Sequence, residues 1–436
     1  NTNGASWTNN NWLDSLTPCQ WTGITCDGGH VTELNLSNSN ISGQLPGTIK
    51  GLQSLEVLDL SNNQITGLSP ALSKLHALQV LDLSNNPLNA VIPPEYGDLD
   101  LLEVLDLHNT GVTGQIPPQL ATLCNLEVLD LSVSNLTGTI PSAFSNLTQL
   151  KAINLSHNTL MGAIPTLGSA DAPCDTTFEL ESLLLNDNDF SGEIPSSVVN
   201  LSNLGAVRLD NNNFTGVIPT GIGQLQNLQI LNLSNNPLEG EIPTDLGQAT
   251  QLQALSLSNI GLTGNIPDSF GDLQQLRILH LNQNYLEGQL PEGMINFTLL
   301  GESLNVPFDL QQVTPDNLAA LDLDYNLFTA SNTLAAFLNT FDANWEATQT
   351  VPPELEVITK SVNAINLEIH PIAYSSGGGR YIITIRTDNN EVAQFETSSK
   401  SGSNLAITGV SPDTTYYIKA QTISDPIGNL TLPMVS

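Results

Sequence analysis

The stretch Leu126–Pro141, LEVLDLSVSNLTGTIP, sets the pattern for most of this chain of 436 residues. Its frame, LxxLxLSxxxLxGxIP, recurs throughout residues 31–330, most often at intervals of 24 residues, as from Leu102 to Leu126. A fixed period of roughly 20 to 50 residues is the signature of a solenoid, in which each repeat packs on its neighbours. The sequence therefore predicts a repeat protein with about twelve clear frames, which begin at Val31, Leu55, Leu78, Leu102, Leu126, Leu150, Leu180, Leu204, Leu228, Leu252, Leu276 and Leu318.

Each frame predicts a strand followed by a polar turn. The half LxxLxL alternates with a period of two residues, which favours one strand of a curved parallel sheet on the concave face. The Asn that follows, as at Asn63, is expected to satisfy backbone groups and to stack on its equivalents in neighbouring repeats. Ser39, Thr110 and Ser134 replace this Asn and are expected to keep a hydrogen bond. Ile260 cannot form one, so a local weakness is expected there.

The last part of the chain has a different composition. Runs with a period of two residues, such as LEVITK and YIITIRT, alternate with turn-rich pieces such as SSGGG. Several short strands at this spacing predict a small all-β sandwich. The expected domains are an N-terminal cap (1–30), a solenoid (31–330), a C-terminal cap or linker (331–351) and the sandwich (352–436). In the cap or linker, the sequence is compatible with a short amphipathic helix or with an irregular structure.

The repeats resemble the plant-type leucine-rich repeat, LxxLxLxxNxLxGxIPxxLxxL, over about 300 residues. That resemblance implies an α/β leucine-rich-repeat solenoid with a second, short sheet formed by LxGxI. The repeat type is shared by plant receptor ectodomains, polygalacturonase inhibitors and secreted bacterial and algal proteins, and the way residues 328–353 end the solenoid is most similar to the bacterial members. Residues 352–436 resemble a fibronectin type III domain, in which Tyr416 would close a tyrosine corner.

Charge excludes one class of partner. The chain has 43 acidic and 10 basic residues and a formal net charge of −33, which repels nucleic acid and anionic membranes. No run of 18 apolar residues predicts a membrane span. No signal peptide is present in this chain, and we expect one to have been removed from an extracellular or cell-surface protein.

The four cysteines indicate an oxidising compartment. Cys19 and Cys26 lie close together ahead of the repeats, where an open solenoid end needs a staple, and they are predicted to form a disulfide. A bond between Cys124 and Cys174 requires the insertion around Cys174 to fold back over the stack, so the sequence leaves that pairing open.

The candidate site is the concave face, which is formed by the second, third, fifth, seventh and eighth positions of the frame. Four consecutive repeats place Asp at the fifth position, where like charges on adjacent strands repel unless a cation or basic partner covers them. Residues that depart from the consensus on this face are more informative, because the scaffold does not require them. The predicted partner-binding residues are Asp59, Asp82, Asp106, His108, Asp130, Val133, His157, Leu184, Arg208, Asp210, Arg277, His280 and Tyr325.

Other kinds of site have less support. No motif of a catalytic nucleophile, metalloprotease or phosphate-binding loop occurs, so no catalytic residue is predicted and the protein is expected not to be an enzyme. Asp187, Asp189 and Asp210 are weak candidates for Ca²⁺ ligands, although they follow no recognised calcium loop. No other cofactor is expected.

Three functions remain open. The first is a secreted or cell-surface recognition and adhesion protein, expected to be a monomer, that binds a protein or peptide on the concave face. The second is a carbohydrate-binding adhesin. The third is ice binding by outward threonines of the second sheet, a row that Met161, Glu239 and Glu287 interrupt; it consists of Thr66, Thr113, Thr137, Thr139, Thr215 and Thr263.

Overall fold

A computed structural model describes residues 17–167, 174, 178–304, 320–324 and 326–343, together with the strands of the C-terminal part. The N-terminal residues 1–16, Tyr325 and Tyr416 lie outside the described residues. The chain divides into two compact units, the first of which reaches Pro237 and the second of which begins at Leu238.

The first unit contains the parallel sheet that the LxxLxL pattern predicts. Its leading strand pairs antiparallel with the second, and the rest are parallel and in register. Leucines of the frame, such as Leu129 and Leu131, are fully buried behind the sheet. The strands of this main sheet are Ile24–Asp27, His30–Asn35, Val57–Asp59, Val80–Asp82, Val104–Asp106, Val128–Asp130, Ala152–Asn154, Ser182–Leu184, Ala206–Arg208 and Ile230–Asn232.

The LxGxI half forms the expected second set of strands. Ser42–Gly43 and Gln64–Ile65 pair with each other, and a five-stranded parallel sheet contains Thr113–Gln115, Asn135–Gly138, Thr159–Gly162, Asp189–Glu193 and Asn213–Thr215. Between this sheet and the next main strand the chain makes a short 3₁₀ helix, usually straight after a proline that provides no backbone donor. These helices are Gly47–Gly51, Pro70–Lys74, Pro94–Asp98, Pro118–Thr122, Ser142–Asn146, Ser196–Asn200 and Ile222–Gln224.

Both cysteine pairs form disulfides. Cys19, in the 3₁₀ turn Pro18–Gln20, bonds to Cys26 of the leading strand, as predicted. Cys124 bonds to Cys174, so the insertion before Leu180 is tied back to an earlier repeat. The pairing that the sequence left open is therefore present.

The second unit repeats the same pattern. Its main strands are Ala254–Ser256, Ile278–His280 and Leu321–Asp322, its second sheet consists of Thr263–Asn265, Tyr285–Gln289 and Leu327–Thr329, and its 3₁₀ helices are Thr244–Gln248, Asp268–Asp272 and Glu292–Asn296. The predicted amphipathic helix is α1, Asn332–Leu338, which buries Leu334 and Leu338. Ser331 caps it by accepting a hydrogen bond from the Leu334 amide.

The C-terminal part contains two antiparallel sheets. One has the strands Glu354–Lys360, Ala364–His370 and Ser403–Thr408, and the other has Gly379–Arg386, Glu391–Glu396, Tyr417–Ser424 and Met434–Val435. The central strand of the second sheet buries Tyr381, Ile383 and Ile385, which alternate along it. This alternation is the period-two pattern read from YIITIRT.

A buried Asn connects successive repeats. The Nδ2 atom of Asn86 donates to the Leu60, Leu83 and Ser84 carbonyls at 2.9, 3.0 and 3.1 Å. Its Oδ1 accepts the Ile65 amide at 2.9 Å. One side chain therefore bonds backbone groups of two successive repeats and links them inside the protein.

We predict that Asn86→Ala destabilises the protein by about 2–4 kcal/mol, because the Ile65 amide and the Leu83 carbonyl lose their buried partner. Urea unfolding measures the change. Asn125→Ala is the matched control: Asn125 is exposed and makes one hydrogen bond, to the Asp100 carbonyl, so a loss under about 1 kcal/mol is expected. Equal losses for the two variants would contradict a special role for the buried Asn.

Candidate binding site on the open face of the repeat sheet

The face of the main sheet opposite the leucine core, called the open face below, is accessible in the first unit. On the strand Val128–Asp130, Leu129 is buried while Val128 and Asp130 are half-buried. The register pairs Asp59 with Asp82, Asp82 with Asp106 and Asp106 with Asp130. The structure thus aligns the four predicted aspartates in one row, about 4.8 Å apart as expected for neighbouring strands.

The aspartate side chains are held in place by the turn that follows each strand. Oδ1 of Asp59, Asp82 and Asp106 accepts the backbone amide two residues later, at 3.0, 2.9 and 2.9 Å. Asp130 does the same and also accepts the Ser132 hydroxyl at 2.6 Å. The row is therefore an ordered array of carboxylates rather than a set of free side chains.

Burial raises the pKa of two of these carboxyls. For Asp82, desolvation is the main cause, hydrogen bonds from Ser84 oppose it, and the charges of Asp106 and Asp59 add to it. For Asp130, desolvation also raises the pKa while hydrogen bonds from Ser132 lower it. A cation placed over the row would relieve the mutual repulsion of these groups.

His108 belongs to this array. Its Nδ1 lies 2.8 Å from Oδ1 of Asp106, and its Nε2 lies 3.0 Å from Nδ2 of Asn85. The hydrogen bond to Asp106 raises the pKa of His108 despite partial burial. Ligand atoms of Asp106, His108 and Asp130 lie within 4.8 Å of one another and could hold a divalent cation. Hydrogen bonds within the protein already account for their arrangement.

The turn that follows the strand Val128–Asp130 differs from the turns of the other repeats in two ways. Val133 has φ +52°, in the left-handed region that disfavours a β-branched residue, and is 46% exposed. At the equivalent position Asn109 donates to Oδ1 of Asn85 at 2.8 Å, a contact that valine cannot make. Ser134 was expected to keep a hydrogen bond, but its buried hydroxyl has no partner. At the same position of other repeats, the Ser39 and Thr110 hydroxyls donate to the Ser37 and Leu107 carbonyls, as expected.

The predicted residues further along the first unit are arranged differently. His157 is exposed and its Nδ1 lies 3.5 Å from a carboxylate oxygen of Asp187. Arg208 clamps Asp210 with two hydrogen bonds, from Nε at 3.1 Å and from Nη2 at 2.9 Å. Desolvation raises the pKa of Asp210, and the arginine lowers it. Leu184 and Asp210 are 7% and 4% exposed, so a partner would touch little of either side chain.

The three predicted calcium ligands do not form one cluster, although the Asn211 side chain donates to both Asp187 and Asp210. Asp189 begins a strand of the second sheet, Asp187 accepts a hydrogen bond from Asn211 at 2.9 Å, and Asp210 is held by Arg208. Apart from the Asp106 group, the three-residue cluster found within the described part of the chain is Asp322, Asp324 and Asp342. Sequence reasoning missed it because Asp342 lies outside the repeat frame, after helix α1.

In the second unit, two predicted residues have structural contacts. Arg277 donates to Oε2 of Glu302 at 3.0 Å and to the Ser303 carbonyl at 2.9 Å. His280 is 7% exposed and lies 3.5 Å from the Ser256 hydroxyl. Tyr325, the third residue predicted here, lies outside the described residues.

The fold and its open face define a class of structure, a solenoid of leucine-rich repeats with a parallel sheet. Residues 29–88 and 100–160, and then 179–201, 227–249 and 251–273, match the family described as leucine rich repeat. Within the described residues, no helix has both the length and the apolar character needed to cross a bilayer.

Among known proteins, the chain is similar to plant receptor kinases. It is 50% identical over 54 residues to the serine/threonine-protein kinase BRI1-like 2 of Arabidopsis thaliana, which is 12% of this chain and 5% of that protein. It is 42% identical over 66 residues to the probable receptor-like kinase IRK of the same plant, 15% of this chain and 6% of that protein. The matched part is thus less than a tenth of these relatives and lies in their repeats. The similarity is therefore to the repeat portion of these kinases.

Solved ectodomains extend the similarity over more of the chain. The repeat ectodomain of the Arabidopsis thaliana receptor kinase GASSHO1/SCHENGEN3, in complex with CASPARIAN STRIP INTEGRITY FACTOR 2, has a TM-score of 0.64 and 33% identity over 75% of this chain and 40% of that one. The plant peptide hormone receptor RGFR1, in complex with RGF2, has a TM-score of 0.58 and 30% identity over 72% of this chain and 51% of that one. This chain therefore spans about half the length of those ectodomains, or less.

The pKa of Asp322 predicts how stability changes with pH. Burial, with the nearby charges of Asp324 and Asp342, raises it to about 7, although the Asp324 amide donates a hydrogen bond. Between about pH 4, the pKa of an unfolded Asp, and pH 7, the folded protein holds a proton that the unfolded chain has lost. The stability from this proton is fully present below pH 4 and is lost as pH rises through 7.

We expect Asp322→Asn to remove this loss, so that the variant is more stable than the parent above pH 7 by on the order of 1–3 kcal/mol. The two proteins should have similar stability near pH 4. Urea unfolding from pH 4 to 8 measures the difference. Glu239→Gln removes an exposed carboxylate of the same unit as a control. Parallel pH profiles for parent and Asp322→Asn would show that Asp322 does not hold this proton.

Proposed function

We propose that this chain is the recognition part of an extracellular or cell-surface protein, and that its open face binds a protein or peptide. The similarity to repeat ectodomains solved with CASPARIAN STRIP INTEGRITY FACTOR 2 and RGF2 supports this class of partner. Two disulfides support an oxidising location. The partner itself is set by surface detail rather than by the fold.

The observation that carries the proposal is the turn at Val133. A β-branched residue in the left-handed region costs roughly 1–3 kcal/mol and persists where the surrounding structure or a function maintains it. Asn occupies the left-handed position in most of the other repeats, among them Asn62, Asn85, Asn109 and Asn211. Valine gives no stability there and projects an apolar side chain into solvent. We interpret Val133 as a contact residue for the partner.

Predicted partner-binding residues in the neighbouring repeats support a binding site around Val133. His108 and His157 lie in the repeats on either side of Val133, and both are partly or largely exposed. Aromatic, basic and apolar side chains on an otherwise uniform surface are the residues that dominate protein interfaces. The binding site that we propose is thus centred on the repeats from Leu102 to Asn158.

The C-terminal part has a separate proposed role. Its three-stranded and four-stranded antiparallel sheets have the strand content of a fibronectin type III sandwich, which is the domain that residues 352–436 resemble. We propose that this domain spaces or anchors the recognition part, which would give the protein an adhesive function.

We predict that Val133→Asn stabilises the protein by on the order of 1 kcal/mol while weakening partner binding at least about tenfold, because Asn tolerates the left-handed turn but removes the apolar contact. Extracellular proteins and peptides from the source organism's surroundings would be retained on the immobilised chain, identified and titrated by calorimetry. Thermal melts measure stability.

Val91→Asn is the matched control, since Val91 is 58% exposed beside the second sheet, paired with Thr113. It should leave binding within about twofold of the parent. A partner that binds parent and Val133→Asn equally would contradict the proposed site, and a loss of stability in Val133→Asn would contradict the assignment of strain.

A further inference from the structure

The open face of the first unit contains an apolar stripe that the candidate list did not include. Val57, Val80, Val104 and Val128 lie at one position of four neighbouring strands, in direct register, and all four are half-buried. We call these four valines the valine lane. Parallel sheets are normally covered on both faces, so a half-exposed apolar stripe is a candidate contact surface.

The lane is limited to these four strands. In the next three strands the same position is occupied by Ala152, Ser182 and Ala206, which are small, and the last two are buried. Three strand spacings of about 4.8 Å make the lane about 14 Å wide, the length of roughly four residues of extended peptide. A short segment, rather than a globular surface, matches this size.

Carboxylates border the lane on both sides. Asp59, Asp82, Asp106 and Asp130 form one border, and the other contains Glu56, Glu103 and Glu127, of which Glu56 and Glu103 are exposed. The aspartates are fixed by backbone amides, so a cationic partner would not have to order them. Both borders are negatively charged, so a partner that binds here needs positively charged groups opposite them.

The negative border ends where the lane ends. On the following strand, Lys151 pairs with Glu127 at 2.8 Å, and Nδ2 of Asn154 donates to Oδ2 of Asp130 at 3.0 Å. The protein thus supplies its own complement to the last carboxylate of each border. On the three earlier strands, Asp106 is paired with His108, Asp59 and Asp82 are half-buried beside the valines, and Glu56 and Glu103 are exposed.

We infer that the valine lane docks a short, extended, cationic segment of a protein or peptide, in which Lys or Arg side chains flank branched apolar ones. The apolar residues pack on the valines, and the cationic groups pair with the Asp and Glu borders. This inference rests on the proposed function, because it specifies the chemistry of a peptide bound on the open face. It does not depend on Val133.

The test uses the full chain, produced in a bacterial periplasm so that disulfides form and the Asn-Leu-Ser sequence created by Asp82→Asn is not glycosylated. The probes are three fluorescein-labelled synthetic octapeptides, with alternating Lys and Val, alternating Lys and Ser, or alternating Glu and Val. Fluorescence anisotropy measures binding at low and moderate salt. The Lys–Val peptide should bind at least about tenfold more tightly than the Lys–Ser peptide, and the Glu–Val peptide should not bind.

Two variants separate the lane from the general negative charge of the chain. Asp82→Asn with Asp106→Asn should weaken Lys–Val binding at least about tenfold. The control Asp189→Asn with Glu193→Gln makes the same change of charge on exposed residues of the second sheet and should change binding less than about twofold. Val80→Ser with Val104→Ser should abolish the preference for Lys–Val over Lys–Ser.

Equal binding of the Lys–Val and Lys–Ser peptides, or equal losses in the two charge variants, would overturn the inference and indicate unspecific attraction. The natural partner distinguishes the two proposals. The natural partner could require Val133 and still bind the double variant Asp82→Asn with Asp106→Asn normally. That result would overturn the inference of a cationic segment and leave the proposed function intact. A partner that ignores both sets of substitutions would overturn both.

Discussion

The hydrogen bonds of the buried Asn are the interaction on which the rest of the repeat structure depends. After each strand the chain turns sharply, which leaves amides and carbonyls inside the protein without sheet partners. Asn212 shows the solution: its Nδ2 donates to the Leu185, Leu209 and Asp210 carbonyls, and its Oδ1 accepts the Phe190 amide. The bonds link two repeats, so they also fix the register of successive strands. The same register places leucines of successive repeats, such as Leu58 and Leu81, side by side in the core.

Fixing the register on the core side leaves the open face free to vary. Aspartates there can stand in one row because the turn supplies each with an amide donor, which offsets part of their repulsion. A strained valine at position 133 is tolerated because the next repeat still supplies Asn158, whose Nδ2 donates to the Leu131 carbonyl at 3.0 Å. The scaffold therefore carries features on its surface that are unfavourable by themselves.

The sequence predicted the repeats, the main sheet and the Cys19–Cys26 disulfide, because each depends on local periodicity or close spacing. The second set of strands was implied by the resemblance to the plant-type repeat, and α1 was one of two alternatives for its segment. It could not decide the Cys124–Cys174 bond, which depends on how an insertion folds back. The sequence predicted on which face of the sheet each candidate residue lies, but not how deeply its side chain is buried. Arg208 and Asp210 illustrate the limit: a pair two residues apart was identified as a surface feature, but the two side chains clamp each other and Asp210 is buried.

The residues that depart from the repeat consensus fall into two groups, according to how deeply their side chains are buried. Three of them, Leu184, Asp210 and His280, are buried. A partner could contact little of these side chains, so they would affect binding mainly through the shape of the surface around them. Val133 and His157 gain little from the scaffold and remain exposed. In a repeat, where most residues are explained by the coil, an exposed residue that lowers stability is the more informative departure, because folding alone gives no reason for it. By that criterion Val133 is a stronger indicator of function than any charged residue of the face.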